Sequence, residues 1–492
     1  MSKSKTKVKV DEKCENKLSI LMVAAECAPF VKLGGLADVV GTLPIELNKL
    51  GADARVMLPF HRQIKEKYFD RVTHVCDFSV QFNQRAVYVG VEKLVYNDVI
   101  HYFIDNEEYF GDAVYRGDIA EGEQYAFFDR AVVEATGRIG FIPDILHCND
   151  WQTGLIPILI RTQYGHWDIG RSKCIFTIHN MMYQGKFGFE MFQKWLGIDP
   201  VYNTPEYMHN YDCASFMKAG VVFADRLSTV SPTYAKEILS PKYAYQMEGI
   251  LNARQWDTWG IVNGIDTKAY NPEDDLYLKH HFSVDDMSGK RKNKIKLIND
   301  LGLIISPGVP IIAMVTRLTS QKGLDLVKYI LDEMMCTEDI GFIILGTGDK
   351  IYEDFFRFME NKYKGRLCAY IDYNERVAHE IYAGSDLFLM PSMFEPCGIS
   401  QMIALRYGTL PIVRETGGLC DTIESYNEYE ETGNGFSFQN YNAHEMFGII
   451  KYALKILRSP KRKKGLIRRA MESDNSFETS AKKYLQMYQS IV

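Results

Sequence analysis

The feature that most constrains this chain is an alternation of short apolar runs with stretches of helical period, and the alternation occurs twice. From Leu18 an apolar run at 20–25 leads into Leu36, Val39, Val40, Leu43, Leu47 and Leu50 at helical spacing, closed by Gly51, and then into a second run at 55–58. This predicts strand, helix, strand. Further strands are expected at 145–148, 174–178 and 226–230, with helical stretches such as 151–164 between them. Residues 72–105, rich in Val, Tyr and Phe without a helical period, predict hairpin strands added to the same sheet.

The rhythm restarts near Pro310, with strands at 311–315, 342–345, 367–371, 387–390 and 410–413 and helices at 324–335, 351–363, 374–383 and 399–407. Alternation of this kind folds as a parallel, doubly wound sheet. The 492 residues also exceed what one core supports, roughly 250–300. The fold class is therefore α/β, with two doubly wound, Rossmann-like domains. The expected organisation is a disordered tail at 1–17, a first domain at 18–265, a crossing at 266–294, a second domain at 295–475 and a C-terminal helix at 476–492. Gly264 and Pro272 suit a hinge.

Composition excludes several functions. A net charge of -6 is wrong for a general nucleic-acid binder, and Lys3, Lys5, Lys7 and Lys9 are followed at once by Asp11, Glu12 and Glu15, so the basic tail reads as solvated. Ten cysteines, none in a C-x2-4-C spacing, make neither a disulfide framework nor a zinc site. Reduced thiols in a cytoplasm fit better. The run before Glu26-Cys27 reads as a buried strand, because the acid spoils a lipoprotein cleavage site, and no run reaches the ~18 apolar residues a membrane span needs.

Polar residues gather where strands should end, which is where doubly wound sheets bind ligands. Arg317 and Lys322 follow the strand at 311–315 and precede a helix, an arrangement able to clamp a diphosphate without a metal. Gly346-Thr347-Gly348 matches neither the dinucleotide nor the P-loop pattern but could make a nucleotide-facing turn. Tyr373 could stack on a base. Glu395, between Phe394 and Pro396 with Cys397 and Gly398 following, is placed to accept hydrogen bonds from sugar hydroxyls, and Cys397 reads as a small buried thiol. In the first half His147, Asp150, Trp151, His179 and Asn180 end two strands and suit carbohydrate. Two glycine pairs, Gly34-Gly35 and Gly417-Gly418, each lie in a Gly-Gly-Leu-X-Asp sequence at a strand-to-helix turn, which suggests two domains facing one ligand. The adjacent aspartates Asp274-Asp275 and Asp285-Asp286 lie in the polar crossing and read as solvated charges, so no metal is expected.

Taken together, Lys32 to Asp38, His147 to Trp151, Thr177 to Asn180, Val262 to Asp266, Arg317 to Asp325, Glu395 to Gly398 and Thr416 to Leu419 resemble the bacterial and plant glycogen/starch synthases of the GT-B fold, over nearly the whole chain. The resemblance implies retaining, metal-independent transfer of glucose from ADP-glucose to an α-1,4-glucan. It further implies that Arg317 and Lys322 hold the diphosphate, Glu395 and Asn263 the glucose, Tyr373 the adenine and His179 the face of the transferring sugar. Lys32, Gly34 and Gly35 would lie near the diphosphate and the acceptor. Asp150, Gly346, Thr347, Cys397, Gly398, Thr416, Gly417 and Gly418 would complete the nucleotide-sugar site, and the C-terminal helix would return to the first domain. One departure stands out, Leu33 in place of the family's usual threonine; Ile403 stands where other retaining transferases carry a second glutamate, so Glu395 stands alone, as is usual in the bacterial and plant branch. UDP-glucose is the alternative donor, and a covalent Glu395 adduct the alternative to front-face substitution. A pyridoxal-dependent phosphorylase and a catalytically dead glucan binder are the competing functions; no cofactor, nucleic acid or membrane is expected.

Overall fold

A computed structural model describes residues 17–492 apart from residue 112, so the expected tail lies, but for Lys17, outside the described residues. The first domain is built on a nine-stranded sheet. Its order across the sheet is Thr258–Gly260, Arg226–Thr229, Lys173–Ile178, Ile145–Asn149, Ser19–Val23, Asp53–Pro59, Val99–Asp105, Arg85–Tyr96 and Thr73–Phe82. The first seven are mutually parallel, and the last two add antiparallel as a hairpin. Both hairpin turns place two consecutive residues at positive φ, Asn83-Gln84 and Asn97-Asp98. Such turns match the twist of the flanking strands, and Asn and Asp tolerate the conformation best among residues with a side chain.

The second domain carries six parallel strands in the order Leu367–Tyr370, Gly341–Leu345, Ile311–Val315, Leu387–Met390, Leu410–Arg414 and Phe436–Phe438. Sequence pattern missed only the short last strand. Connections run outward in opposite directions from Ile311–Val315 and Leu387–Met390, so the crevice between the ends of these two strands is the topological switch point where ligands bind. In the first domain the equivalent gap lies between Ser19–Val23 and Ile145–Asn149.

The chain passes between the domains at two adjoining points. Ile265 pairs with Ser476, its N–H donating to Asn475 at 2.8 Å. Gly264 is required there, since a Cβ would stand 2.3 Å from the backbone nitrogen of Phe477. The expected polar crossing soon joins the second domain, and one of its acids is not solvated. Asp275 is buried, 2.7 Å from His379 Nδ1 and 2.5 Å from the donating Tyr407 hydroxyl, whereas Asp274, Asp285 and Asp286 are exposed. Helix Ser288–Asp300 follows, with buried Lys290 donating to the Tyr407 carbonyl at 2.8 Å and to the Thr409 hydroxyl at 2.7 Å. After the second pass, helix Phe477–Gln489 returns to the first domain and lies on Gly35–Lys49, burying Phe477, Ala481, Tyr484, Met487 and Tyr488. Each such large apolar side chain contributes about 1.5–3 kcal/mol to the docking.

Candidate active site

The two switch points face each other, and between them lies a cavity of about 760 Å³. From the first domain its wall includes Glu26, Gly34, Gly35, Asp150, His179 and Asn263; from the second, Arg317, Lys322, Glu395, Cys397 and Gly398. Residues separated by hundreds of positions meet because every one follows a strand at the same end of its sheet.

On the second-domain side, Lys322 Nζ donates to Glu395 Oε2 at 2.7 Å, and the Ser392 hydroxyl donates to the same oxygen at 3.1 Å. Both partners of the ion pair are largely buried. Arg317 is exposed at the rim, and its guanidinium has no hydrogen bond or ion pair among the described residues. One cation is thus neutralised by a protein acid and the other is available to an anion. The Cys397 thiol is pushed up to about 12 by burial, so it is protonated and no nucleophile.

On the first-domain side, burial lowers His179 to about 3, so the imidazole is neutral. Its tautomer follows from Asn149. That amide donates to the carbonyls of Val23 and His147 at 3.1 and 3.2 Å, which leaves its oxygen facing His179 Nε2 at 3.0 Å. Nε2 therefore carries the hydrogen and Nδ1 is an acceptor. Asp150 has φ 58 and ψ 179, a conformation that costs about 1–3 kcal/mol outside glycine. It is held there by the N–H groups of His179 and Asn180, which donate to Oδ1 at 3.1 and 3.3 Å. Burial still pushes its carboxyl up to about 7. Asn263 is buried in the same wall with an unpartnered side-chain oxygen.

Several expected residues stand outside the wall. Lys32 pairs with Asp38 at 2.7 Å beyond the Gly34-Gly35 turn. Gly346 and Thr347 are packed against Thr316 and Leu318, and Tyr373 is 77% exposed. Thr416, Gly417 and Gly418 lie behind the Glu395 loop. His147 is fully buried between the Thr177 hydroxyl at 2.5 Å and the Tyr488 hydroxyl at 2.8 Å, so it docks the C-terminal helix and does not face a sugar. Trp151 does reach the wall, but most of its ring is buried, packed edge-on against Phe216 and Tyr125.

The sequence pattern gave no notice of Glu26, whose Oε2 accepts from the N–H groups of Leu33 at 2.6 Å and Gly34 at 2.9 Å, while the Tyr115 hydroxyl donates to Oε1. Tyr115 and Gln152 also line the cavity, the latter with an unpartnered oxygen. An acid directly after the first strand was the available signal for Glu26; Tyr115, in a long loop, offered none.

Among the described residues no group of three or more His, Cys, Asp and Glu is arranged to hold a metal ion, and no helix is long and apolar enough to cross a membrane. Residues 19–253 match the family model of the starch synthase catalytic domain, and residues 303–472 that of glycosyl transferases group 1. The chain is 48% identical to glycogen synthase of Geobacillus thermodenitrificans, over 96% of this chain and 98% of the relative. It is 46% identical to glycogen synthase of Lachnospira eligens, over 96% and 100%. The structure superposes with a TM-score of 0.90 and 30% identity on the catalytic domain of starch synthase IV from Arabidopsis thaliana bound to ADP and acarbose, covering 96% of this chain and 99% of that one. A sucrose-phosphate synthase from Thermosynechococcus elongatus, 16% identical with a TM-score of 0.60, shares the fold. With two Rossmann-like domains meeting on one cleft and glycogen synthases matched along nearly their whole length, the chain belongs to the bacterial and plant glycogen/starch synthases, glucosyltransferases of the GT-B fold.

Proposed function

We propose that this glucosyltransferase takes its glucose from ADP-glucose and adds it, with retention of configuration, to the non-reducing end of an α-1,4-glucan in the cytoplasm. The observation that carries the reading is the single cavity that unites Arg317, Lys322 and Glu395 with His179, Asn263 and the Gly34-Gly35 turn. The starch synthase IV relative, bound to ADP and acarbose, supports the donor nucleotide and a glucan-like acceptor.

The barrier is departure of a diphosphate from an anomeric carbon. Negative charge grows on the leaving group, and preorganised cations aimed at it stabilise the transition state more than any other group in the cleft. Arg317 supplies one directly. Lys322 supplies the second by turning from Glu395 toward the phosphate, which frees Glu395 to accept hydrogen bonds from the glucose hydroxyls. Asn263 offers a further buried acceptor to the sugar. His179, neutral and fixed by Asn149, presents a ring face and an acceptor nitrogen but no charge. Lys32 and Tyr373 act at the edge of the cleft, on the phosphate side and on the base. With Glu395 still bound by the Ser392 hydroxyl and occupied by the glucose hydroxyls, front-face substitution, in which the leaving phosphate takes the acceptor proton, is favoured over attack by Glu395 itself.

Incubation with glycogen and either ADP-glucose or UDP-glucose, with nucleotide release and glucan growth both measured, tests this. ADP-glucose should be the better donor. Preference for UDP-glucose would overturn the donor assignment, and glucan binding without transfer from either would overturn the activity.

A further inference from the structure

Glu237 lies outside the cavity wall and joins the two domains through the second glycine turn. It ends helix Pro232–Glu237 of the first domain, which lies against helix Gly417–Thr422 of the second. Glu237 Oε1 accepts from the Thr416 hydroxyl at 2.8 Å and from the Gly417 N–H at 3.1 Å. Thr233, one turn earlier, donates from its N–H and its hydroxyl to the Asp421 carboxylate at 2.9 and 2.7 Å. Two carboxylates, one from each domain, therefore bridge the same pair of helices in opposite directions.

The turn that Glu237 grips is bound in turn to the Glu395 loop. Gly418 N–H donates to the Glu395 carbonyl at 3.2 Å and to that of Pro396 at 3.1 Å. The packing is so close that a Cβ on Gly417 would lie 2.0 Å from the Glu395 carbonyl oxygen, and one on Gly418 2.2 Å from that of Cys397. A shift of the Gly417-Gly418 turn therefore cannot leave the Glu395 loop where it is, and Glu237 holds that turn for as long as its bridge is made. The other carboxylate oxygen of Glu237 is buried without a partner, so the contact is not optimised for stability alone.

Resting on the reading of the chain as a glucosyltransferase, we infer that Glu237 is a positioning residue: by bridging to Thr416 and Gly417 it latches the first domain onto the second and sets the Glu395 loop for transfer. Its side chain lies outside the cavity wall, so it acts through the loop and not on the ligand. The latch is made when the cleft is closed and broken when it opens to exchange ligands.

The test compares wild type with Glu237→Ala and Glu237→Gln, since glutamine keeps an oxygen acceptor for both donors. Two measurements are made: kcat/KM for ADP-glucose on glycogen, and the radius of gyration with and without ADP. Glu237→Ala should lose roughly tenfold in kcat/KM, the scale of removing hydrogen bonds to a charged group, and should fail to contract with ADP. Glu237→Gln should recover to within about threefold of wild type, a rescue that loss of general packing would not give. Asp421→Asn, which weakens the second bridge, should shift both measurements the same way and serves if Glu237→Ala does not fold. Wild-type kcat/KM and full contraction in Glu237→Ala would overturn the latch, as would a wild type that does not contract. A wild type that contracts yet transfers no glucose would instead overturn the functional reading.

Discussion

The two glycine turns have the same local sequence pattern, and the structure uses them oppositely. Gly34 is the extended N-cap, at φ -152, of the long helix Gly35–Lys49, and both glycines line the cavity. Gly417 adopts φ 45, opens a helix of only six residues, and is buried beneath the Glu395 loop with Gly418. Each turn is held by a glutamate. Glu26 belongs to the same domain as its turn, whereas Glu237 crosses from the other. A carboxylate supplied from within makes a fixed wall; one supplied from across makes a joint. The open turn is thus suited to meet a ligand, and the covered one to transmit domain position.

The largest expected effect tests whether the charge that serves the leaving group lies in the cleft with the first turn. Lys322→Ala or Arg317→Ala should lower kcat by about 10²–10³ and leave glycogen binding nearly unchanged. Half of wild-type activity in either variant would remove the clamp from the mechanism.

Alanine at the two turns sharpens the contrast directly. At Gly417 a Cβ meets the Glu395 carbonyl at 2.0 Å in a left-handed conformation, so Gly417→Ala should cost about 1–3 kcal/mol and lower the urea midpoint. At Gly34 the nearest atom to a new Cβ is 3.9 Å away and the backbone is extended, so Gly34→Ala should stay within about 0.5 kcal/mol of wild type. Equal destabilisation at both positions would erase the distinction between open and covered turns.

A smaller effect concerns Asp150, beside the first turn. Its carboxyl is raised to about 7 in the folded state, above the ~3.9 of an unfolded chain, so the unfolded chain loses the proton first. The stability this group contributes is full below pH ~4 and is lost as pH rises through about 7, with a slope of at most about 1.4 kcal/mol per pH unit. Asp150→Asn should therefore gain on wild type in urea midpoint between pH 5 and 7. A difference independent of pH would show that Asp150 titrates elsewhere.

The smallest expected effect is none. Transfer should be undiminished in excess EDTA, because Arg317 and, once it turns from Glu395, Lys322 supply the positive charge on the diphosphate side. Activity abolished by EDTA and restored by Mn²⁺ would refute the clamp and shift attention to carboxylates such as Glu26 and Glu121 in the wall.

The amino-acid sequence by itself determined the two sheets and the residues at their strand ends. The period of apolar residues dictates which runs become strands, and a parallel sheet buried on both faces leaves its strand ends as the place for polar groups. Arg317, Lys322, Glu395, Asp150 and His179 were readable for that reason. Tertiary structure alone decided which strand-end residues face the cleft. His147 has the same sequence credentials as His179, yet a docking helix covers it, and Trp151 reaches the wall with most of its ring packed against Phe216 and Tyr125. Asp275 reads as a solvated charge until His379 and Tyr407 close over it. The role of Glu237 depends on a contact 180 residues away, and periodicity carries no information about such pairs. Local propensity acts over a few residues, whereas burial and partnership are properties of surfaces that meet only when both domains have folded.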